Sequence, residues 1–290
     1  MSVDIAHYHG WHGSLESPWR ASLAIVRVAL VQVFRRKAYW FVLALGLLHF
    51  LAVWFVIYIV NQAGQPPEAR GALLEPLGFG GRQNGYLAFM ERQSIAVSIL
   101  LAFSGSLLVG ADFRTGALAF YLSRRIDRRH YIVGKLLAVA AVVSLLTTLP
   151  AVALYFEYGM FSSSIRYWID NWRALVAILI YGAVLATVLS IWLVTLAAYL
   201  QRVAPIAITW ASLFVMPKPL RKLLAAGRYD YVNLLDPWRD IHFAGRLGFG
   251  GLKNDQEREF ALWALAILAS SCVVALLALV RRVRAVEIVK

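Results

Sequence analysis

ALVAILIYGAVLATVLSIWLVTLAAYL, residues 174–200, runs for 27 residues without one Asp, Glu, Lys or Arg. As a helix it rises about 40 Å, more than the roughly 30 Å hydrocarbon core of a bilayer. Backbone groups left unpaired in lipid cost several kcal/mol each, so such a run enters a membrane only with its hydrogen bonds closed internally. Four other uncharged runs have the same character, at 39–60, 93–111, 136–156 and 260–280. The whole chain agrees: of 290 residues 60% are hydrophobic and 16% charged, where a soluble domain has about a quarter charged. The fold class read from this pattern is all-α and polytopic.

A sixth run, 203–216, has 14 residues and ends at Pro217 and Pro219. At roughly 21 Å it is a short span or a re-entrant segment; six crossings is the preferred reading. With six crossings and the N-terminus inside, the cytoplasmic pieces are 1–38, 112–135, 201–204 and 281–290. They hold 16 basic and 5 acidic residues, against 13 and 11 in the external pieces. Cytoplasmic flanks collect Lys and Arg, so both termini are expected in the cytoplasm of a cell inner membrane. The external stretch 217–259 is the weak point, with 8 Lys and Arg. Its prolines and glycines, mixed with Trp238, Phe243, Leu247 and Phe249, fit a lid, a platform or a plain loop.

The regions follow as a tail (1–17), an interfacial helix (18–37) and a six-helix membrane domain (38–290). Ser17-Pro18 is a helix start, a capping hydroxyl before proline at the first helical position. Trp19, Leu23, Val26, Leu30 and Val33 recur at three-to-four spacing, with Arg20 and Arg27 on another side, which predicts a helix lying in the membrane interface. Arg35, Arg36 and Lys37 then precede Tyr39 and Trp40, aromatic residues suited to the headgroup layer. No leader is expected, because residues 1–18 lack a basic start and an apolar core.

Several chemistries are excluded. Cys272 is the lone cysteine, so neither an intrachain disulfide nor a thiolate zinc site can form. The net charge of +13 is scattered between apolar runs and forms no stripe for nucleic acid. No zinc-protease helix, nucleophile elbow or phosphate loop occurs, and Gly134-Lys135 lacks the upstream glycine and following hydroxyl of a P-loop. No catalytic, cofactor-binding or metal residue is assigned. His7, His9 and His12 have chelating spacing without acidic or thiol support. The uncharged runs hold no carboxylate, and His49 is their one ionisable candidate, either a proton site or a hydrogen-bonding partner between helices. A transporter built on this chain therefore takes its energy from another subunit. Ser98, Ser104, Ser106, Thr147 and Thr148 join His49 as a candidate polar pathway, packing being the commoner reason for such residues.

Residues 110–138, GADFRTGALAFYLSRRIDRRHYIVGKLLA, lie between the second and third runs. Arginines here flank a short run with Leu118, Phe120, Tyr121 and Leu122, and large apolar side chains in a water-facing loop need a cover. The loop is suited to hold another protein at the membrane surface. It resembles the type-2 ABC transporter permease family, whose members carry D-x-R-x-G-T-L, then L-L-S-R-P-I with a following Arg, then Y-x-x-G-K after the second span. Asp112, Arg114, Gly116, Leu118, Leu122, Ser123, Arg124, Ile126, Arg129, Tyr131, Gly134 and Lys135 stand as in that pattern. Ala117 replaces its Thr, and Arg125 its Pro.

The resemblance implies an exporter's membrane subunit that does no chemistry itself. It would pair with a second copy or a paralogue and dock a separate ABC ATP-binding subunit, which would hold the ATP and Mg. In the docking loop, Arg114, Arg124, Arg128 and Arg129 would set register. Leu118, Phe120 and Tyr121 would supply buried contact, and Asp112, Gly116, Ser123, Gly134 and Lys135 complete the set. A second reading is a non-transporting subunit of such a complex, acting in assembly or maturation of an extracytoplasmic protein. An intramembrane enzyme lacks any acid, base, metal or nucleophile set.

Overall fold

A computed structural model describes residues 17–64, 83–122, 127–161, 165–224, 230–252 and 254–283. Every regular element among them is helical. In chain order these are α1 (Pro18–Phe34), α2 (Lys37–Gln62), α3 (Gln83–Gly105), a π-helical turn (Ser106–Gly110), α4 (Ala111–Arg114) and α5 (Ala117–Leu122). Then come α6 (Arg128–Leu146), α7 (Thr148–Phe161), α8 (Ile165–Leu200), α9 (Val203–Val215) and α10 (Pro217–Leu224). A 3-10 turn (Asp230–Leu235), α11 (Pro237–Gly248) and α12 (Asp255–Arg282) complete the order.

Among the described residues, five helical stretches are long and apolar enough to cross a bilayer: Tyr39–Gln62, Gly85–Arg114, Arg128–Phe161, Ile165–Leu200 and Asp255–Arg282. They coincide with the five long uncharged runs, extended at their ends by polar turns. The stretches Gly85–Arg114 and Ile165–Leu200 are mostly buried within the chain, whereas α2 and α12 are mostly uncovered. On these outer helices Phe41, Leu48 and Phe55 of α2 and Val273, Val274 and Leu277 of α12 are exposed. A continuous apolar surface of this kind is stable against lipid and not against water. The architecture is that of an integral membrane protein.

The basic ends of these helices gather at one end of the bundle. Arg282 donates to the Ala198 carbonyl (3.4 Å) and stacks over Phe113 and Tyr199. The Tyr39 hydroxyl, near the start of α2, donates to the Phe103 carbonyl (3.0 Å) late in α3. At the opposite end Tyr86 and Tyr167 share a hydroxyl contact (3.3 Å) within a cluster that includes Tyr155 and Trp168. The third stretch is broken at Thr147, whose hydroxyl donates to its own helix at Val143 O (2.8 Å). Pro150, three residues on, has no N–H for the ladder, which accounts for the break.

Three expectations change in detail. The sixth run forms a helix of 13 residues, Val203–Val215, about 20 Å long, and is not a sixth long span. It starts beside Ser106 and Arg114, around a shared cavity. Midway, the Trp210 indole donates to the Ser98 carbonyl (3.1 Å), and Phe214 then meets Trp238, with ring centroids 4.8 Å apart. From Trp238, α11 carries the chain on to the far end, where Gly245 lies against Leu87. Second, α7 continues past residue 156 and brings in Glu157, 3% exposed, whose two carboxylate oxygens have no hydrogen-bond partner. The apolar runs lack carboxylates; the helices built on them do not.

The third change concerns α1. It begins as read, with the Ser17 hydroxyl accepting from Trp19 N (3.4 Å) and Pro18 in the first turn. Its buried face is Ser22, Ile25, Ala29 and Val33, while Trp19 and Leu23 of the expected apolar stripe are more than half exposed. The stripe facing the protein is selected by α6. The Ser22 hydroxyl donates to the His130 carbonyl (3.0 Å), Trp19 stands edge-on to the His130 ring, and Ile25 sits over Gly134.

Candidate functional site

The connection between the second and third spans is anchored by one buried lysine. Lys135 of α6 is 3% exposed; its Nζ lies 2.7 Å from Asp112 Oδ2 and donates to the Leu108 carbonyl at 2.6 Å. The Tyr131 hydroxyl donates to the same Asp112 oxygen at 2.8 Å. A buried ammonium is tolerated only when paired and hydrogen-bonded, and this one has both. Asp112 and Lys135 therefore tie the two ends of the connection to each other and to the π-helical turn.

That turn is itself gripped from the other side. The Ser106 hydroxyl donates to Gln201 O (3.1 Å), and a Cβ added at Gly110 would lie 2.5 Å from the same oxygen. Gly110 is required there because the α8–α9 turn runs directly against the backbone of the second span. Gln201 pays for the approach with a left-handed φ of 59°, an unusual conformation for a residue with a side chain. π-helical turns widen a helix by one residue and recur where function needs a local departure from the α ladder.

The anticipated docking residues separate into two groups. Asp112, Gly134 and Lys135 belong to the anchor, and Gly134 is the point where α1 crosses α6: its Cβ would meet Ile25 and the Ser22 carbonyl at 3.1 Å. Leu118 is 8% exposed, and Tyr121, half-buried, packs on Tyr131 with centroids 5.6 Å apart. This chain covers Leu118 and part of Tyr121. Burial, and next the Asp112 charge, push the Tyr121 phenol above its ordinary range. Arg114, Gly116, Arg128 and Arg129 are exposed, and Gly116, with φ of 72°, ends α4 in the left-handed conformation that glycine tolerates. Ser123 and Arg124 lie outside the described residues, as does the side chain of Phe120. The result is a guanidinium-bearing surface fastened rigidly to two spans.

Of the candidate polar pathway, Ser98 and Ser106 line neighbouring cavities, and the other residues are engaged locally. His49 stacks on Phe89 with centroids 5.2 Å apart. Ser104 turns to its own helix at Leu101 O, Ser106 is committed to Gln201, and Thr148 lies at the α7 start where Gly182 of α8 leaves room for it. The Ser98 hydroxyl, like that of Ser190, is buried with no hydrogen-bond partner among the described residues. Among the described residues no group of three or more His, Cys, Asp or Glu is placed to hold a metal ion. His7, His9 and His12 lie outside the described residues.

No known family model matches the chain, and no curated protein does. The site is thus defined by its geometry. Several of its parts carried no sequence signal: the π-helical turn, the Gln201 carbonyl, the face of α1, and an ionisable group at the far end of the bundle. There His242 pairs with Glu91 across α11 and α3. Asp236 caps α11 by accepting from Trp238 N (3.1 Å). Asp240, on the same helix, is 2% exposed. Side chains that face one another only after α11 folds back on α3 have no spacing to be read.

Proposed function

We propose that this chain is the membrane subunit of an ATP-driven transporter of the type-2 ABC permease kind, working as an exporter in the inner membrane. The observation that carries the reading is the contrast within residues 112–135: an interior ion pair, Lys135 with Asp112, braces a connection whose outward side carries Arg114, Arg128 and Arg129. A separate ATP-hydrolysing subunit would push on those guanidiniums, and the push would enter the second and third spans through the Asp112–Lys135–Leu108 tie. The absence of a phosphate loop in this chain supports the division of labour. The basic end of the bundle is then cytoplasmic. The sixth crossing is made in two pieces, α9 followed by α11, and α1 lies along the cytoplasmic interface with Trp19 and Leu23 toward lipid. A second copy or a paralogue completes the pore.

The test is retention of ATPase. The full chain, tagged and purified in mild detergent, should carry nucleotide hydrolysis with it, and Arg128→Glu with Arg129→Glu should remove that activity while the thermal midpoint of the membrane subunit stays unchanged. Tyr121→Asp is a poorer probe, because Tyr121 is packed against Tyr131 near Asp112. Hydrolysis that survives the double charge reversal rules out docking at this surface.

A further inference from the structure

Three cavities follow one another along the second span, neighbours sharing lining residues. The first, about 290 Å³, is lined by Glu91, Asp236, Arg239 and His242 with Tyr181. It shares Ile95 and Trp238 with the second, about 550 Å³, between α3 and α9. The second shares Phe103 with the third, about 630 Å³, which continues between α2 and the end of the second span to Arg36 and Arg114. From Glu91 to Arg114 the helix rises about 34 Å, close to the thickness of a bilayer's hydrocarbon core. The lining between those ends is largely apolar, its polar side chains being Ser98, Ser106, Tyr39 and the indoles of Trp210 and Trp238. Phe41, Phe103 and Ile208, exposed by half or more, leave the groove open toward lipid.

Charge decides the occupant. At the basic end the charged lining residues are Arg36 and Arg114, both exposed and in no ion pair among the described residues. Two guanidiniums beside an apolar slot match a phosphate carrying acyl chains, since Arg binds phosphate by forked hydrogen bonds. The far end is lined by the carboxylates of Glu91 and Asp236 as well as Arg239 and His242, so the preference for phosphate lies at the basic end. We propose that this groove is a phospholipid site, with the headgroup phosphate at Arg36 and Arg114 and the chains along Ile99, Phe103 and Ile208. That the bound lipid is also the cargo rests on the transporter reading; the binding itself does not.

The experiment uses the full chain in nonionic detergent with phosphatidylglycerol bearing a diazirine in one acyl chain, and the matching diacylglycerol without phosphate. After illumination, peptide mapping should find phosphatidylglycerol on residues 95–103 and 207–215 in excess over Leu262 and Val273, which are exposed on α12 away from the groove. Diacylglycerol should show no such excess. Arg36→Glu with Arg114→Glu should cut groove labelling about tenfold, as expected for a lost charge-assisted contact, and Ala211→Trp should cut it by filling the slot. Equal labelling of groove and α12, indifference to charge reversal, or cross-links from the groove to a second copy in place of lipid would each overturn the site. ATPase retention is measured on the unsubstituted chain, so absence of groove labelling there with hydrolysis retained sinks this inference and leaves the permease reading standing, while groove labelling without hydrolysis does the reverse.

Discussion

Lys135 shows how much depends on single residues. Replacing it with Met leaves Asp112 partly buried without its cation, a change that costs about 3–5 kcal/mol where one partner of a buried pair is removed. Lys135→Met should therefore lower the unfolding midpoint in detergent sharply, and adding Asp112→Asn should recover a large part of the loss. If the single and double variants unfold alike, the pair is not the anchor. At Gly110 the obstacle to a side chain is the Gln201 carbonyl, a backbone atom that cannot step aside. Gly110→Ala should therefore disturb the α8–α9 turn, whereas Gly116→Ala meets nothing within 4 Å and bears only the left-handed strain of about 1–2 kcal/mol.

Elements were legible to the degree that their partner was lipid. The five long helices could be read because an uncharged run has one stable state in hydrocarbon, a helix, and no neighbour needs to be known. For α1 the existence and start were readable from Ser17-Pro18, but its buried face was not: Trp19 and Leu23 are more hydrophobic than Ser22 and Ala29, and the smaller residues face α6 because Gly134 lets the helices approach closely there. Gly134→Val should push α1 away and raise cleavage by added protease near residues 35–37, while Leu23→Ser, on the exposed side, should leave the cleavage rate as it is. The length of α9 was also ambiguous for a physical reason. Thirteen residues are too few for a bilayer alone, and only the handover from Phe214 to Trp238 shows how the chain proceeds.

At the scale of the whole molecule, the arrangement predicts sidedness. Gly248 at the end of α11 is exposed with open space around it, and Arg128 lies at the other end of the bundle. In a Cys272→Ser background, Gly248→Cys should react with an impermeant maleimide in intact cells, and Arg128→Cys only after permeabilisation. The reverse pattern would place the arginine-rich connection outside and remove the basis for an ATPase partner. Asp236 is a poor reporter because it is 3% exposed.

Composition and hydropathy alone determined that this is a helical membrane protein, where its five long helices run, and which connection concentrates arginine. These properties follow from each residue's own transfer between water and lipid, which is local and additive. Tertiary structure decided which of the connection's residues are interior and which face outward, why Gly110 must lack a side chain, and how three cavities line up from Glu91 to Arg114. Those depend on which backbone atom meets which side chain across helices far apart in the chain, a matter of steric fit and pairing that no single segment contains.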